Sequence, residues 1–367
     1  MPVRKDGRVE MSKSSLALAL CLAGLGCMQN PGALGEAPPE AATFSTRSKL
    51  KGAGATFPHP IYSKWAFHYG RDTGVRLSYN QVGSGAGVLA AATGEVDFGA
   101  TDIPLTDRQL EQDGLVQFPM VIGGVVPVVN LPGVEAGALV LSPTTLAGIF
   151  LGDISRWNSP EIRLENPTID LPDQEITPIY RADASGSTWI FTSFLSQCCP
   201  EWQTRVGAGS NVAWPVGVGA RGNQQVARFV GQFEFTIAYV EFAHANLSNL
   251  VWVALQVGGQ TVTPSLLNFE KAAAASTWRT GTSVRLWPPE IADPSVWPIV
   301  GASYVLVKRQ PTSAVRMRKL FGFLHWALTG GAPLARELGY AAVPEEHIAT
   351  IEQLWRDQVR ENGRAVW

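Results

Sequence analysis

Ile179-Tyr180-Arg181-Ala182-Asp183-Ala184-Ser185-Gly186-Ser187-Thr188 reads as the end of a strand, a charged turn and the start of a helix. The β-branched and aromatic run from Ile176 to Tyr180 predicts the strand. Ile190, Phe191, Phe194 and Leu195 fall at helical spacing after Trp189 and predict the helix. Ser185, Gly186 and Ser187 then occupy the first helical turn, whose N–H groups have no intrahelical partner. Those donors, the positive end of the helix dipole and the Arg181 guanidinium converge on one place, which is an anion site. Plain helix capping, with Arg181 in a surface ion pair, produces the same local pattern. Repetition of the pattern upstream shifts the balance toward the anion.

Leu50 to Ala53 predicts a short strand running into Gly54-Ala55-Thr56-Phe57-Pro58. A helix follows with Ile61, Tyr62, Trp65, Ala66 and Tyr69 on one face, ending at Gly70. Thr56 and Phe57 thus place a hydroxyl and main-chain N–H groups at a helix entrance. A strand over 75–82 leads to Gly83-Ser84-Gly85-Ala86-Gly87 and an alanine-rich helix over 88–92, with Ser84 at its entrance. Val96 to Leu105 reads as a short buried strand and an exposed turn carrying Asp102. Thr106 and Gln109 form a capping box for the next helix. The apolar stretch 118–130 is expected to cross between two domains, with a hinge at Ile122-Gly123-Gly124-Val125.

Further on, a helix is predicted over 143–151. Gly217, Gly219 and Gly222 satisfy G-x-G-x-x-G, but Pro215 interrupts any preceding strand, so the segment reads as a loop rather than a dinucleotide fingerprint. Asn223 is expected to cap a helix over 224–230. A strand over 237–242, an extended proline-rich return crossover over 287–297, a strand over 304–308 and helices over 314–328 and 344–360 complete the chain. Strands alternating with helices imply α/β layers.

Lys and Arg number 29 against 31 Asp and Glu, a formal charge of −2, so no global field draws this chain to nucleic acid or acidic lipid. Any anion must be held by local donors. Residues 1–27 read as a signal peptide: Arg4, Lys5, Arg8 and Lys13 precede an apolar run from Leu16 to Met28 too short to span a bilayer, with Met11 an alternative start. Gly24-Leu25-Gly26-Cys27 resembles a lipoprotein cleavage site, so lipidation of Cys27 stands beside simple cleavage. Residues 28–48, rich in Pro, Gly, Ala and Ser, read as a flexible linker. Cys198 and Cys199 are adjacent; two thiols at a helix end are favoured over a strained vicinal disulfide. The five histidines are scattered, without metal-ligand spacing, and read as helix-surface or packing residues.

Gly52-Ala53-Gly54-Ala55-Thr56-Phe57-Pro58, Val82-Gly83-Ser84-Gly85, Asp97-Phe98-Gly99-Ala100-Thr101-Asp102 and Arg181-Ala182-Asp183-Ala184-Ser185-Gly186-Ser187 occur in one order. With Gly222-Asn223 and Ala238-Tyr239-Val240-Glu241, they make the chain from about residue 51 onward resemble the phosphate-binding proteins of bacterial ABC-type phosphate importers. The resemblance implies an α/β protein of the type II periplasmic-binding-protein fold. Its lobe I would comprise 49–125 plus 299–367 and its lobe II 129–289, joined by hinge crossovers at 126–128 and 290–298. It implies inorganic phosphate as ligand, held by Thr56, Phe57, Ser84, Asp102, Arg181, Ser185, Gly186 and Ser187, with Asp183 orienting Arg181. No cofactor, metal or catalytic residue is implied. The expected partners are permease subunits with a cytoplasmic ATPase, the expected location the periplasm with a possible lipid tether, and the expected state a monomer. Ser187 stands where threonine is usual, Gly85-Ala86 where Ser-Gly or Gly-Gly is common, and Phe233 to Ala238 where small residues are usual.

Asp102 has a logic independent of any family. A carboxylate in an anion pocket repels the ligand unless the ligand brings a proton, which phosphate does and sulfate does not. The plain alternative is a turn carboxylate that caps backbone N–H groups. Rival functions are a binding protein for another oxyanion such as sulfate or molybdate, a secreted phosphatase using Ser84 or Ser185, and a surface interaction protein that has kept the fold. The phosphatase would need a base or clustered metal ligands beside its serine.

Overall fold

The computed structural model describes residues 49–279, 285–287 and 296–367. The signal region, Cys27, the linker 28–48 and most of the return crossover over 287–297 lie outside them. Chain order begins β1 (Leu50–Gly54), α1 (His59–Thr73), β2 (Leu77–Gln81), α2 (Ser84–Thr93), β3 (Phe98–Thr101), α3 (Asp107–Asp113) and β4 (Leu115–Asn130). It continues with β5 (Val140–Leu141), α4 (Pro143–Leu151), α5 (Pro160–Glu165), β6 (Thr177–Arg181), α6 (Gly186–Cys198), α7 (Pro200–Arg205), β7 (Val218–Ala220), α8 (Gly222–Gln232), β8 (Thr236–Glu241) and α9 (Phe242–Leu247). Later elements include the strand Val300–Lys308 and the helices Ala314–Leu328 and Glu345–Gln358.

The main sheet runs in the order β2, β1, β3, Val300–Lys308, β4, β8, β6, β7. In one half β1 pairs parallel with both β2 and β3; in the other β6 pairs parallel with β7 and β8. Each of β1, β2, β6 and β7 passes within a few residues into a helix, so four helix N-termini collect at the carboxyl ends of the strands. An open α/β sheet binds its ligands at this edge.

The long strand β4 belongs to both halves. It pairs with Val300–Lys308 up to Gly124, opposite Val300, and with β8 from Val125, opposite Glu241. Val125 is held from a second side as well: its N–H donates to Ile299 O (2.8 Å) and its carbonyl accepts from Trp297 Nε1 (2.9 Å). The partner change therefore falls within the glycine-containing segment expected to act as a hinge.

Several boundaries differ from the sequence reading. α1 continues through Gly70 to Thr73 and stops at Gly74, which takes the left-handed conformation at φ 71°. α2 begins at Ser84 rather than 88, because the small residues after Gly83 already coil. Val218–Ala220, expected to be loop, is a short strand, since β6 offers it a free edge. The capping box at Thr106 and Gln109 is present, and α4 and Ala314–Leu328 match their expected ranges. Cys198 and Cys199 are free thiols. Phe235 sits at φ 61°, a strained conformation for a bulky residue; its N–H donates to Asn130 O (2.7 Å), and its carbonyl accepts from Thr177 N–H (3.0 Å) and the Trp157 indole (3.2 Å).

Candidate functional site

The turn after β6 carries Arg181, which is 2 % exposed. Its Nε donates to Asp183 Oδ1 (2.7 Å) and its Nη2 to Asp183 Oδ2 (2.5 Å). That fork occupies two of the five guanidinium donors and aims the remainder. Asp183 Oδ1 also accepts from Gly222 N–H (3.0 Å). Burial alone would raise the Asp183 carboxyl, but the bonds and charge of Arg181, helped by Gly222, hold it below the usual carboxylate range. The Tyr239 hydroxyl, stacked against Phe191, accepts from Arg181 N–H (3.2 Å) and bonds Thr188 Oγ1 (2.8 Å). One aromatic residue on β8 thus pins both the end of β6 and the first turn of α6.

At the start of α6, Ser185 Oγ accepts from Thr188 N–H (3.1 Å) as the helix cap, and Ser185 N–H donates to Ser210 O (3.0 Å). As a cap acceptor, Ser185 retains its hydroxyl hydrogen as a donor. Gly186 N–H donates to Ser84 Oγ (3.2 Å), at the start of α2 in the other half of the sheet. A Cβ on Gly186 would lie 2.3 Å from Asp102 Cβ, so only glycine lets these two turns meet.

Asp102, expected in an exposed turn, is 2 % exposed. The α6 entrance covers it, a contact no local sequence signal contains. Its main-chain N–H donates to Ser84 Oγ (3.3 Å), whose hydroxyl in turn reaches Asp102 Oδ2 (3.5 Å). Oδ1 is buried without a well-formed hydrogen bond. Burial pushes the carboxyl up to about 7, against the opposing effects of the nearby Ser303 hydroxyl, the Arg181 charge and Ser84. A buried carboxyl oxygen left in this way, close to a buried guanidinium, suits a ligand that is anionic yet carries an O–H.

A second bridge between the halves centres on Asn223, which sequence reasoning placed as a helix cap. It lies inside α8, whose N-cap position is Arg221. Its main-chain N–H and Nδ2 both donate to Thr56 Oγ1 (3.1 and 3.0 Å), Nδ2 also reaches Ser187 Oγ (3.3 Å), and Oδ1 accepts from Glu241 N–H (3.3 Å). Thr56 and Ser187, both expected in the site, are therefore joined through one buried amide.

The turn bearing Thr56 and Phe57 is fixed from behind. His244 Nε2 donates to Thr56 O (2.8 Å); burial lowers the imidazole to about 4, so it is neutral. The Tyr340 hydroxyl donates to Phe57 O (2.7 Å) and lies 2.8 Å from Glu241 Oε2. Burial raises Glu241 to about 8, so a protonated Glu241 can donate to the Tyr340 oxygen while Tyr340 donates onward. The Thr56 carbonyl also accepts from His59 N–H (3.3 Å), the first residue of α1, so the turn is held by main-chain and side-chain bonds together. His244, Tyr340 and the part played by Glu241 escaped the sequence reading; Gly222-Asn223 and Tyr239-Val240-Glu241 carried a signal only as motif matches.

Ser84, Asp102 and Gly186 thus form one contact set, Thr56, Asn223 and Ser187 another, with Arg181 and its Asp183 clamp beside them. Among the described residues no cluster of three His, Cys, Asp or Glu side chains is placed to hold a metal.

The model of the PBP superfamily domain matches residues 39–330. The chain is 40 % identical over 319 residues to the phosphate-binding protein PstS of Haemophilus influenzae, covering 87 % of this chain and 96 % of that one. It is 38 % identical over 323 residues to the PstS protein of Xylella fastidiosa, covering 88 % and 89 %. Among solved structures, a high-affinity periplasmic phosphate-binding protein bound with phosphate superposes with a TM-score of 0.67 at 20 % identity, over 83 % of this chain and 93 % of that one. The phosphate-binding protein of Stenotrophomonas maltophilia gives 0.62 at 18 % identity, over 83 % and 93 %. Fold and superposition define the class, an α/β protein of the type II periplasmic-binding-protein fold. Within it, the chain belongs to the PstS family of phosphate-binding proteins.

Proposed function

We propose that this protein captures inorganic phosphate outside the inner membrane and delivers it to the permease of an ABC importer, without acting on it chemically. Thr56, Phe57, Ser84, Asp102, Arg181, Ser185, Gly186 and Ser187 form the cage, and Asp183 orients Arg181. The observation that carries this reading is the buried Asp102 carboxyl, with Oδ1 unsatisfied, close to the buried Arg181 guanidinium. Arg181 and the helix N-termini select an anion; Asp102 selects one that still bears a proton.

Lobe I comprises 49–125 plus 299–367, lobe II comprises 129–289, and the crossovers are 126–128 and 290–298. The partner change of β4 at Gly124 and Val125, with Ile299 and Trp297 bonded to Val125, supports this division. The bonds Asn223 to Thr56 and Gly186 to Ser84 run between lobes, so closure and ligation are one event. Opening about Val125 would separate the two contact sets and expose the site. The protein works as an exported monomer, with Cys27 the point of any lipid tether. Among the described residues no helix is long and apolar enough to cross a membrane.

Isothermal titration of the mature protein with phosphate and with sulfate tests the reading. Phosphate is expected to bind and sulfate to compete poorly; preferential binding of sulfate, or no phosphate heat, overturns it.

A further inference from the structure

Outside the cage, α8 turns one face to an open groove. Arg221, Gln224, Gln225 and Arg228 follow helical spacing and line the same depression of ≈ 700 Å³, with Thr56, Asp183 and Gly222 also in its wall. Gln81 stands on the opposite bank, its Nε2 donating to Gln224 Oε1 (2.9 Å) across the gap. The groove is therefore continuous with the cage, and a bridge between the half-buried Gln81 and the exposed Gln224 spans it.

The charges lining the groove are Arg221, Arg228 and Asp183. Asp183 is already matched by Arg181. Arg221 and Arg228 are exposed, and among the described residues neither guanidinium is in an ion pair. The local excess is two positive charges on a chain whose formal charge is −2. Overall charge would slow the approach of a phosphate dianion; a concave cationic patch focuses the field and raises its local concentration.

We infer that Arg221 and Arg228 form an encounter site that draws incoming phosphate into the open cleft and hands it to the cage. The inference rests on phosphate being the ligand. The two arginines set the association rate and not the dissociation rate, because the closed cage holds its ligand without them. Screening removes the effect once the Debye length falls to about 3–4 Å, near molar salt.

Stopped-flow tryptophan fluorescence with inorganic phosphate over a salt series tests this on the mature protein, its R221Q/R228Q variant and the charge-reversed R221E/R228E variant. Calorimetry runs in parallel, and thermal melts confirm that each variant is folded. At low salt the association rate should fall about tenfold in the neutral variant and further in the reversed one, the lower end of the range for steered association. Dissociation rates should be unchanged, and the three association rates should converge at high salt. Equal rates and equal salt slopes in all three proteins, with phosphate still bound by the parent, overturn the inference alone. No phosphate binding by the parent overturns the proposed ligand and the inference with it. A loss confined to the dissociation rate places the arginines in the closed cage and also refutes an encounter role.

Discussion

Replacing Asp102 by Asn should convert a site that discriminates phosphate from sulfate into one that barely does. In the parent, sulfate leaves the ionised carboxylate facing a ligand oxygen with no hydrogen between them, inside a pocket where Asp102 is 2 % exposed. An uncompensated buried charge would cost about 3–5 kcal/mol, so sulfate instead takes the protonated acid, which with the carboxyl at about 7 is only about a tenth of the protein at about pH 8, a loss of about one decade of sulfate affinity. The amide removes that charge and can donate to sulfate from Nδ2. Phosphate loses less, because Oδ1 still accepts its proton; exchanging a charged for a neutral acceptor costs about 1 kcal/mol, or about fivefold. The ratio of affinities at about pH 8 should thus fall about fiftyfold. A second signature follows from the carboxyl being raised to about 7 by burial. Sulfate binds the protonated acid, so its affinity should drop about tenfold between about pH 6 and about pH 8 in the parent and stay flat in D102N. Calorimetry with both anions at both pH values measures all of this. An unchanged ratio in the variant, together with no pH dependence for sulfate in the parent, would refute the proton-counting argument.

Arg181→Ala should weaken phosphate binding by two decades or more, since it deletes the charged donor and strands Asp183 in its partly buried place, a loss of about 3 kcal/mol or more; calorimetry checks it, and a loss under threefold contradicts the assignment. Asn223→Ala removes the amide that joins Thr56 to Ser187 and leaves Glu241 N–H unpaired. It should both lower the melting temperature and weaken binding, with small-angle scattering showing a more open protein under subsaturating phosphate. The pH dependence of stability has a definite sign. Glu241 and Asp102 have raised values, about 8 and about 7, so their contribution is full below their unfolded values and is lost as pH rises through those numbers. His244, lowered to about 4, acts oppositely and loses stability as pH falls from its unfolded value toward about 4. Ligand-free protein should therefore melt progressively lower between neutral pH and about pH 8. Glu241→Gln, which imitates the protonated acid toward Tyr340, should reduce that decline; an identical pH profile would show that Glu241 does not titrate there.

Much of the proposed cage is written locally. Strand, small-residue turn and helix follow one another within about ten residues at Thr56, Ser84 and Ser185, and hydrogen bonding between near neighbours dictates which N–H groups remain free. The capping box at Thr106, the helix Pro143–Leu151 and the strand–helix turn at Arg181 are legible for the same reason: the groups involved are three or four positions apart. Even the chemistry of Asp102 follows from residue type alone, as a carboxylate among anion donors. Its burial does not follow, nor does the value near 7, because both depend on Gly186 from a distant segment lying over it. Asn223 meets Thr56 across 167 residues of chain, and Tyr340 meets Phe57 across 283. No periodicity encodes such pairs; the order of strands in the sheet brings them together. Composition and spacing determine which donors each turn can offer, whereas the closed arrangement of the two halves decides which of them face the same point, which are already committed to one another, and how strongly water is excluded from the carboxyl between them.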